Sequence, residues 1–210
     1  VVLFQNRTAG HPWHALRSEL GLGLDIDELA KRLGTTPADL EKHTPTYRRV
    51  AIPKKRGGLR QLAVPDDATR DLQRRILNRL LAKLRSHPAA TGFERGRSIV
   101  HNACPHVGKA VVVNLDVIDF FGSTDAEVLE MWFRRIGWNA KTAKLLTRLV
   151  SFEGALPQGA PTSPRLSNLV NFHLDQRLAN VAYSYRASST RYADDITFSF
   201  AKDRPKRVRG

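Results

Sequence analysis

From residue 25 to residue 43 the apolar positions Ile26, Leu29, Ala30 and Leu33 recur at helical spacing and Gly34 follows, which predicts a short amphipathic helix ended by glycine. Thr36 before Pro37 predicts a second helix, since Thr can cap and Pro is tolerated at the first helical position. Two helices around such a turn fit a packing hairpin or a DNA-reading helix-turn-helix. The pattern then changes: "YRRVAIPKKRGGLRQLAVP", residues 47 to 65, reads as two strands joined at Gly57-Gly58, with a tip of Lys54, Lys55, Arg56 and Arg60. From Arg70 to Arg85 the helical period returns. Leu72, Ile76, Leu77, Leu80, Leu81 and Leu84 share one side, and Arg70, Arg74, Arg75, Arg79 and Lys83 lie largely on the other.

After Lys109, "AVVVNLDVIDFF" is a strong strand signal. Thr124 and Glu127 form a capping box before a helix whose core face is Val128, Leu129, Trp132, Phe133 and Ile136, and a further helix is expected from Lys141 to Val150. "GALPQGAPTSP" is a Gly/Pro loop, and Ser163-Pro164 starts a helix carrying Leu166, Val170, Leu174 and Leu178 at four-residue spacing. In "RYADDITFSF" Ile196, Phe198 and Phe200 alternate with Thr197 and Ser199, so the stretch reads as a strand with Ala193-Asp194-Asp195 at a hairpin turn. The order β-α-α-loop-α-β-turn-β predicts an α+β fold with an antiparallel sheet.

Composition narrows the function classes. A chain of 210 residues with 41% hydrophobic content can bury a core, and a formal charge of +14 attracts polyanions, with nucleic acid the first partner to expect. No apolar run approaches the ~20 residues of a spanning helix, so no membrane partner is expected. The opening "VVLFQNRTAGHPWH" has no charged segment followed by an apolar one, so no signal peptide is expected. Cys104 is the single cysteine, which rules out an internal disulfide and fits a reducing cytoplasm.

The candidate chemistry lies in the acids. Adjacent Asp194 and Asp195 in a turn are ordinarily just solvated. A third acid changes this: Asp116 follows Val111-Val112-Val113-Asn114-Leu115, the expected end of a buried strand, where an isolated carboxylate costs on the order of several kcal/mol or shifts its pKa. A divalent cation removes that penalty. Three carboxylates at neighbouring strand ends suit Mg²⁺, and two such ions about 3.5–4 Å apart can hold the attacking and leaving oxygens of a phosphoryl transfer. This is polymerase or nuclease chemistry, with the basic hairpin and Arg74, Arg75 and Arg79 as a track for nucleic-acid backbones. His101, Cys104 and His106 in "HNACPH" are three ligand types without a second set, too few to close a tetrahedral zinc site.

"NLDVIDFFGS" (114 to 123), "LPQGAPTSPRLSN" (156 to 168) and "RYADDITFS" (191 to 199) resemble the successive palm motifs of reverse transcriptases, in order and at compatible spacing. "IPKKRGGLRQLAVP" resembles the preceding fingers motif, and "GFERGRSIVHNACPH" (92 to 106) the next. Asn102, Ala103 and His106, together with "RYADDITFS", are most similar to bacterial retron-type enzymes, while group II intron enzymes share the looser palm pattern. The resemblance implies that Asp116, Asp194 and Asp195 are the catalytic, metal-binding triad for two Mg²⁺ ions, with the Val117 carbonyl as an extra ligand. It implies Phe121 as a steric gate against a ribose 2′-hydroxyl, Phe120 taking the core role beside it. Gln158 and Gly159 match the segment against nucleotide and template, Arg60 with Lys54 or Lys55 the groups that hold the triphosphate, and Asp119 a position near the nucleotide. Tyr192 falls near the primer end, and Asn102 and His106 contact RNA or support the fold.

The implied architecture is a right-hand polymerase: an N-terminal helical segment (1–46), fingers (47–109) and an incomplete palm (110–210) with the thumb absent. Gly122 stands where the family usually has Pro and Thr124 where it has an aliphatic residue. The implied activity is RNA-directed DNA synthesis from deoxynucleoside triphosphates on a structured RNA template, in the bacterial cytoplasm, with a cognate non-coding RNA and an effector protein as partners in antiviral defence. The alternatives are a non-catalytic nucleic-acid-binding fragment of such an enzyme, a group II intron-type reverse transcriptase, or a DNA-reading regulator built on residues 25 to 43.

Overall fold

The computed structural model describes residues 23–53 and 57–201. The chain divides into two compact units, Val1–Arg85 with Phe121–Leu166, and Ser86–Phe120 with Ser167–Gly210.

The first unit is mainly helical. Helix α1 (Ile26–Leu33) begins where the Asp25 carboxylate accepts the Glu28 amide at 3.0 Å, and it ends at Gly34 in the left-handed region, φ 67. Thr36 caps α2 (Pro37–Lys42), and Leu29, Ala30, Leu33 and Leu40 are buried, so the two helices form a packing hairpin. Two cations brace its ends: Arg148 donates to the carbonyls of Leu40, Glu41 and His43, and Arg79 donates to the Arg32 carbonyl. Strands β1 (Tyr47–Pro53) and β2 (Leu59–Pro65) pair antiparallel from Tyr47↔Pro65 to Pro53↔Leu59.

Helix α3 (Asp67–Ile76) is capped by Asp66, starts three residues before the expected Arg70, and widens into a π-helical turn at Leu77–Leu81 instead of running on to Arg85. Its buried Gln73 donates to the Tyr47 hydroxyl at 2.6 Å and the Leu149 carbonyl at 3.0 Å.

In chain order α4 (Ile99–Ala103) and β3 (Val111–Asp116) belong to the second unit, and the first unit resumes with α5 (Ala126–Arg135) and α6 (Ala140–Val150). The cap of α5 is Asp125, whose carboxylate accepts the Val128 amide at 2.8 Å; the expected Thr124 cap is one residue early. Thr124 is buried, with its amide bonded to the Phe121 carbonyl and its carbonyl to the Leu156 amide. Leu129, Phe133, Leu146 and Leu149 join Leu29, Leu33 and Ile76 in the core.

The second unit is built on a three-stranded antiparallel sheet of β3, β4 (Ser188–Tyr192) and β5 (Asp195–Phe200), in the order β3-β5-β4. Because β3 is paired on one side only, it is not the buried strand expected: Val112 is 47% and Leu115 49% exposed, and Asp116 is exposed as well. A full burial cost therefore does not fall on Asp116. The helix expected to continue from Ser163 is two helices, α7 (Ser163–Val170) and α8 (Phe172–Ser184), broken at Asn171. Leu174 is correspondingly 39% exposed while Asp175, next to it, is 1% exposed. No helix among the described residues is long and apolar enough to cross a membrane.

Candidate active site

The ladder between β4 and β5 closes with Tyr192↔Asp195, leaving Ala193 and Asp194 as a two-residue turn. Ala193 takes a positive φ of 58, a conformation that costs a residue with a Cβ and persists only where its surroundings hold it. On the other side of β5, the ladder to β3 closes with Asp116↔Asp195. Residues paired in this way project to the same face, with Cβ atoms ~4.5–5.5 Å apart. The Val117 amide then donates to the Asp194 carbonyl at 3.0 Å, so the backbone gathers all three aspartates at one end of the sheet.

Electrostatics follows from that register. Partial desolvation first, then the like charges of Asp194 and Asp116, hold the Asp195 carboxyl above its usual range. Facing like charges oppose pairing, and a hard divalent cation is the counter-charge that suits an all-carboxylate oxygen donor set. Among the described residues no group of three or more His, Cys, Asp or Glu side chains is already gathered to hold a metal ion; what the backbone supplies is a common end of the sheet for the three aspartates and a common face for Asp116 and Asp195.

Residues that the sequence reading did not single out surround this turn. Arg191, 1% exposed, makes paired bonds of 2.7 Å through Nε and Nη2 to the two carboxylate oxygens of Asp175, also 1% exposed. Its Nη1 donates to the Ala193 carbonyl at 2.9 Å, and its guanidinium lies 5.5 Å from the centre of the Phe120 ring. The stretch 89–92 runs beside β4: the Arg191 amide donates to Ala89, and the Thr91 amide donates to the Arg191 carbonyl, each at 2.8 Å. Gly92 follows, so close that an added Cβ would stand 2.6 Å from the Ala193 nitrogen, and its carbonyl accepts Asn168 Nδ2 at 2.7 Å. The available signal was an acid, Asp175, inside an apolar helical pattern, and an arginine directly before the Tyr-Ala-Asp-Asp run.

Asn102 and His106 also serve this sheet. Asn102 accepts the Thr91 hydroxyl at 2.7 Å, while His106 bridges Ser199 on β5 at 2.7 Å and Thr190 on β4 at 2.8 Å. Desolvation, then Lys109, lowers the His106 pKa, keeping the ring in the neutral form that can donate at one nitrogen and accept at the other. His101 caps α4 through Ser98, and Cys104 is exposed. Asp119 sits exposed at a positive φ of 47, Phe120 is buried and Tyr192 half-buried.

The remaining candidates belong to the first unit. Arg60 is exposed on β2 opposite Ile52; Lys54 and Lys55 lie outside the described residues. Phe121 is half-buried. The Gln158 carbonyl accepts the Ala63 amide at 2.8 Å, and Gly159, at φ 123, lies where a Cβ would meet the Ala63 carbonyl oxygen at 2.9 Å. The close approach that Gly159 permits is thus to the chain's own β2. Arg74 pairs loosely with Asp71 at 3.7 Å, Arg75 is half-buried, and Arg79 is held against α1.

Comparison with known proteins agrees with this geometry. The family described as reverse transcriptase (RNA-dependent DNA polymerase) matches residues 52–207. The chain is 40% identical over 147 residues to the retron Ec86 reverse transcriptase of Escherichia coli, covering 70% of this chain and 45% of that protein. It is 39% identical over 196 residues to the retron Mx65 reverse transcriptase of Myxococcus xanthus (85% and 45%), and 37% over 206 residues to the Mx162 enzyme of the same organism (90% and 42%). The chain thus spans somewhat under half the length of these relatives. A structure of telomerase from Candida albicans with a fragment of telomeric RNA is similar in fold, with a TM-score of 0.52 at 12% identity over 82% of this chain and 40% of that one. With the family's motifs matched across most of its length and three aspartates gathered at the end of an antiparallel sheet, the chain belongs to the reverse transcriptase family.

Proposed function

We propose that this chain is the fingers and catalytic palm portion of a retron-type RNA-directed DNA polymerase. The single observation that carries the reading is the register pair Asp116↔Asp195 with Asp194 in the adjoining turn, inside the motifs that resemble the family's catalytic ones. Asp116, Asp194 and Asp195, with the Val117 carbonyl, are the groups that would hold magnesium. Bound there, two such ions supply Lewis-acid activation of a primer hydroxyl and charge stabilisation on the phosphate being transferred.

The chain's own residues do the rest. Phe121 excludes a ribose 2′-hydroxyl. Arg60, with Lys54 or Lys55, pairs the triphosphate, a task suited to guanidinium and ammonium groups. In the first unit Gln158 and Gly159, and in the second unit Asp119, match the family's nucleotide-contacting positions, and Tyr192 matches its position by the primer end. Arg74 and Arg75 contribute to the positive field along the nucleic-acid backbone. Likeness to retron enzymes supports a structured non-coding RNA as template and partner, an effector protein, and a place in bacterial antiphage defence.

Primer extension on an RNA template, by the complete natural protein and its Asp194→Asn variant, tests the reading. Extension by the parent that the variant loses is expected; equal extension by both overturns it. A second reading, a nucleic-acid-binding piece without catalysis, draws on the chain's partial span of its relatives, and predicts RNA binding that Asp194→Asn leaves unchanged while neither protein extends a primer.

A further inference from the structure

We propose that Arg191 is a positioning residue for the aspartate turn: held by Asp175 on α8, it fixes the Ala193 carbonyl and, through Phe120, the segment leaving Asp116. The inference rests on the reading of the three aspartates as the reacting site. Three of the guanidinium's donors are used in two directions. Nε and Nη2 are locked by both Asp175 oxygens at 2.7 Å, and Nη1 reaches the Ala193 carbonyl at 2.9 Å. Ala193 is the residue with the costly backbone, φ 58, and it immediately precedes Asp194. Phe120, four positions after Asp116, lies against the guanidinium on its other contact.

The alternative, that the pair is only core filling, does not explain its chemistry. A buried ion pair is weak evidence for stability, because two desolvated charges gain little over apolar residues of the same volume. What a guanidinium adds is direction: a planar fork that donates to both oxygens of one carboxylate edge-on and still aims a donor elsewhere. Here that spare donor is aimed at the turn. Gly92 and Thr91 also pack against this stretch, the first so closely that an added Cβ would stand 2.6 Å from the Ala193 nitrogen and the second by hydrogen bonds to the Arg191 carbonyl. The turn is thereby bracketed, and small displacements of Asp194 against Asp116 are suppressed.

The test uses the complete natural protein with Arg191→Lys and with the paired apolar replacement Arg191→Met/Asp175→Leu, which removes both charges together and spares the fold an orphaned one. Each is expected to lower kcat about tenfold to a hundredfold, the scale set by small misplacements of reacting groups, with KM for deoxynucleotides little changed. Hydrogen exchange supplies a readout independent of activity. The Val117 amide, bonded to the Asp194 carbonyl, is expected to exchange at least about tenfold faster in both variants, while amides inside the β3–β5 ladder keep their protection. A variant that melts like the parent and keeps both its kcat and its Val117 protection overturns the proposal. Asp194→Asn is run alongside: if it retains the parent's activity, the site reading fails, and the Val117 exchange rate alone then decides whether Arg191 brackets the turn.

Discussion

Asp116 and Asp195 stand opposite each other as the last register pair between β3 and β5, two like charges at the open end of the sheet. The proton is bound to Asp195 more tightly in the fold than in the unfolded chain, because its pKa is raised above 3.8. The group therefore favours the fold below pH 3.8, and that contribution is lost as pH rises through the raised value. At neutral pH the ionised carboxylate weighs against folding. Asp195→Asn should accordingly raise the melting temperature at pH 7 in metal-free buffer, by no more than about 3 °C for so exposed a group. Calorimetry should show the difference closing in acid, and added magnesium should stabilise the parent more than the variant. A variant that melts below the parent at pH 7 would count against mutual repulsion.

His106 couples two strands through a pair of short hydrogen bonds to Ser199 and Thr190, both buried. His106→Ala strands the Ser199 hydroxyl and leaves the Thr190 hydroxyl only its longer bond of 3.4 Å to the Asn102 carbonyl, and urea denaturation should show a loss of about 1–3 kcal/mol. RNA affinity of the folded variant should stay near the parent's. Reduced affinity at unchanged stability would instead make His106 an RNA contact.

Gly92 and Gly159 are each needed for a close approach of backbone to backbone. In Gly92→Ala the new methyl meets backbone atoms of Ala193 and Tyr192 at 2.6 and 3.2 Å, and in Gly159→Ala it meets the Ala63 carbonyl at 2.9 Å with an unfavourable φ of 123 added. Backbone cannot step aside as a flexible side chain can, so each should cost about 1–3 kcal/mol in denaturation. Gly92→Ala should also depress primer extension beyond its effect on stability, since the clash falls on the turn that carries Asp194.

The adjacent phenylalanines should separate cleanly. Phe120 is 6% exposed, so Phe120→Ala should lose about 3–5 kcal/mol of stability. Phe121→Ala should keep most of its stability and lower the preference for deoxynucleotides over ribonucleotides by roughly tenfold or more, as measured by competitive incorporation. Unchanged discrimination by Phe121→Ala would remove it as the steric gate.

Much of this was legible in the chain because it is written locally. Alternation in Ile196, Phe198 and Phe200, the Gly57-Gly58 turn and the Thr36-Pro37 start each need only a few neighbouring residues to act, and each element formed near its expected place. Errors arose where a neighbour competed: Asp125 out-capped Thr124, and the stripe through Val170 and Leu174 did not anticipate the break at Asn171. The exposure of β3 was not legible, since whether a strand lies at the centre or the edge of a sheet depends on which strands pair with it.

Sequence by itself determined the residue types of the site, the α+β class and the family, because motif order and hydrophobic period are properties of the chain in one dimension. Tertiary structure alone decided that Asp116 faces Asp195, that Gly159 makes room for β2, and that Arg191 and Asp175 meet in the interior. Register, close approach and the pairing of buried charge are relations between distant segments, and they come into being only when strands and helices pack.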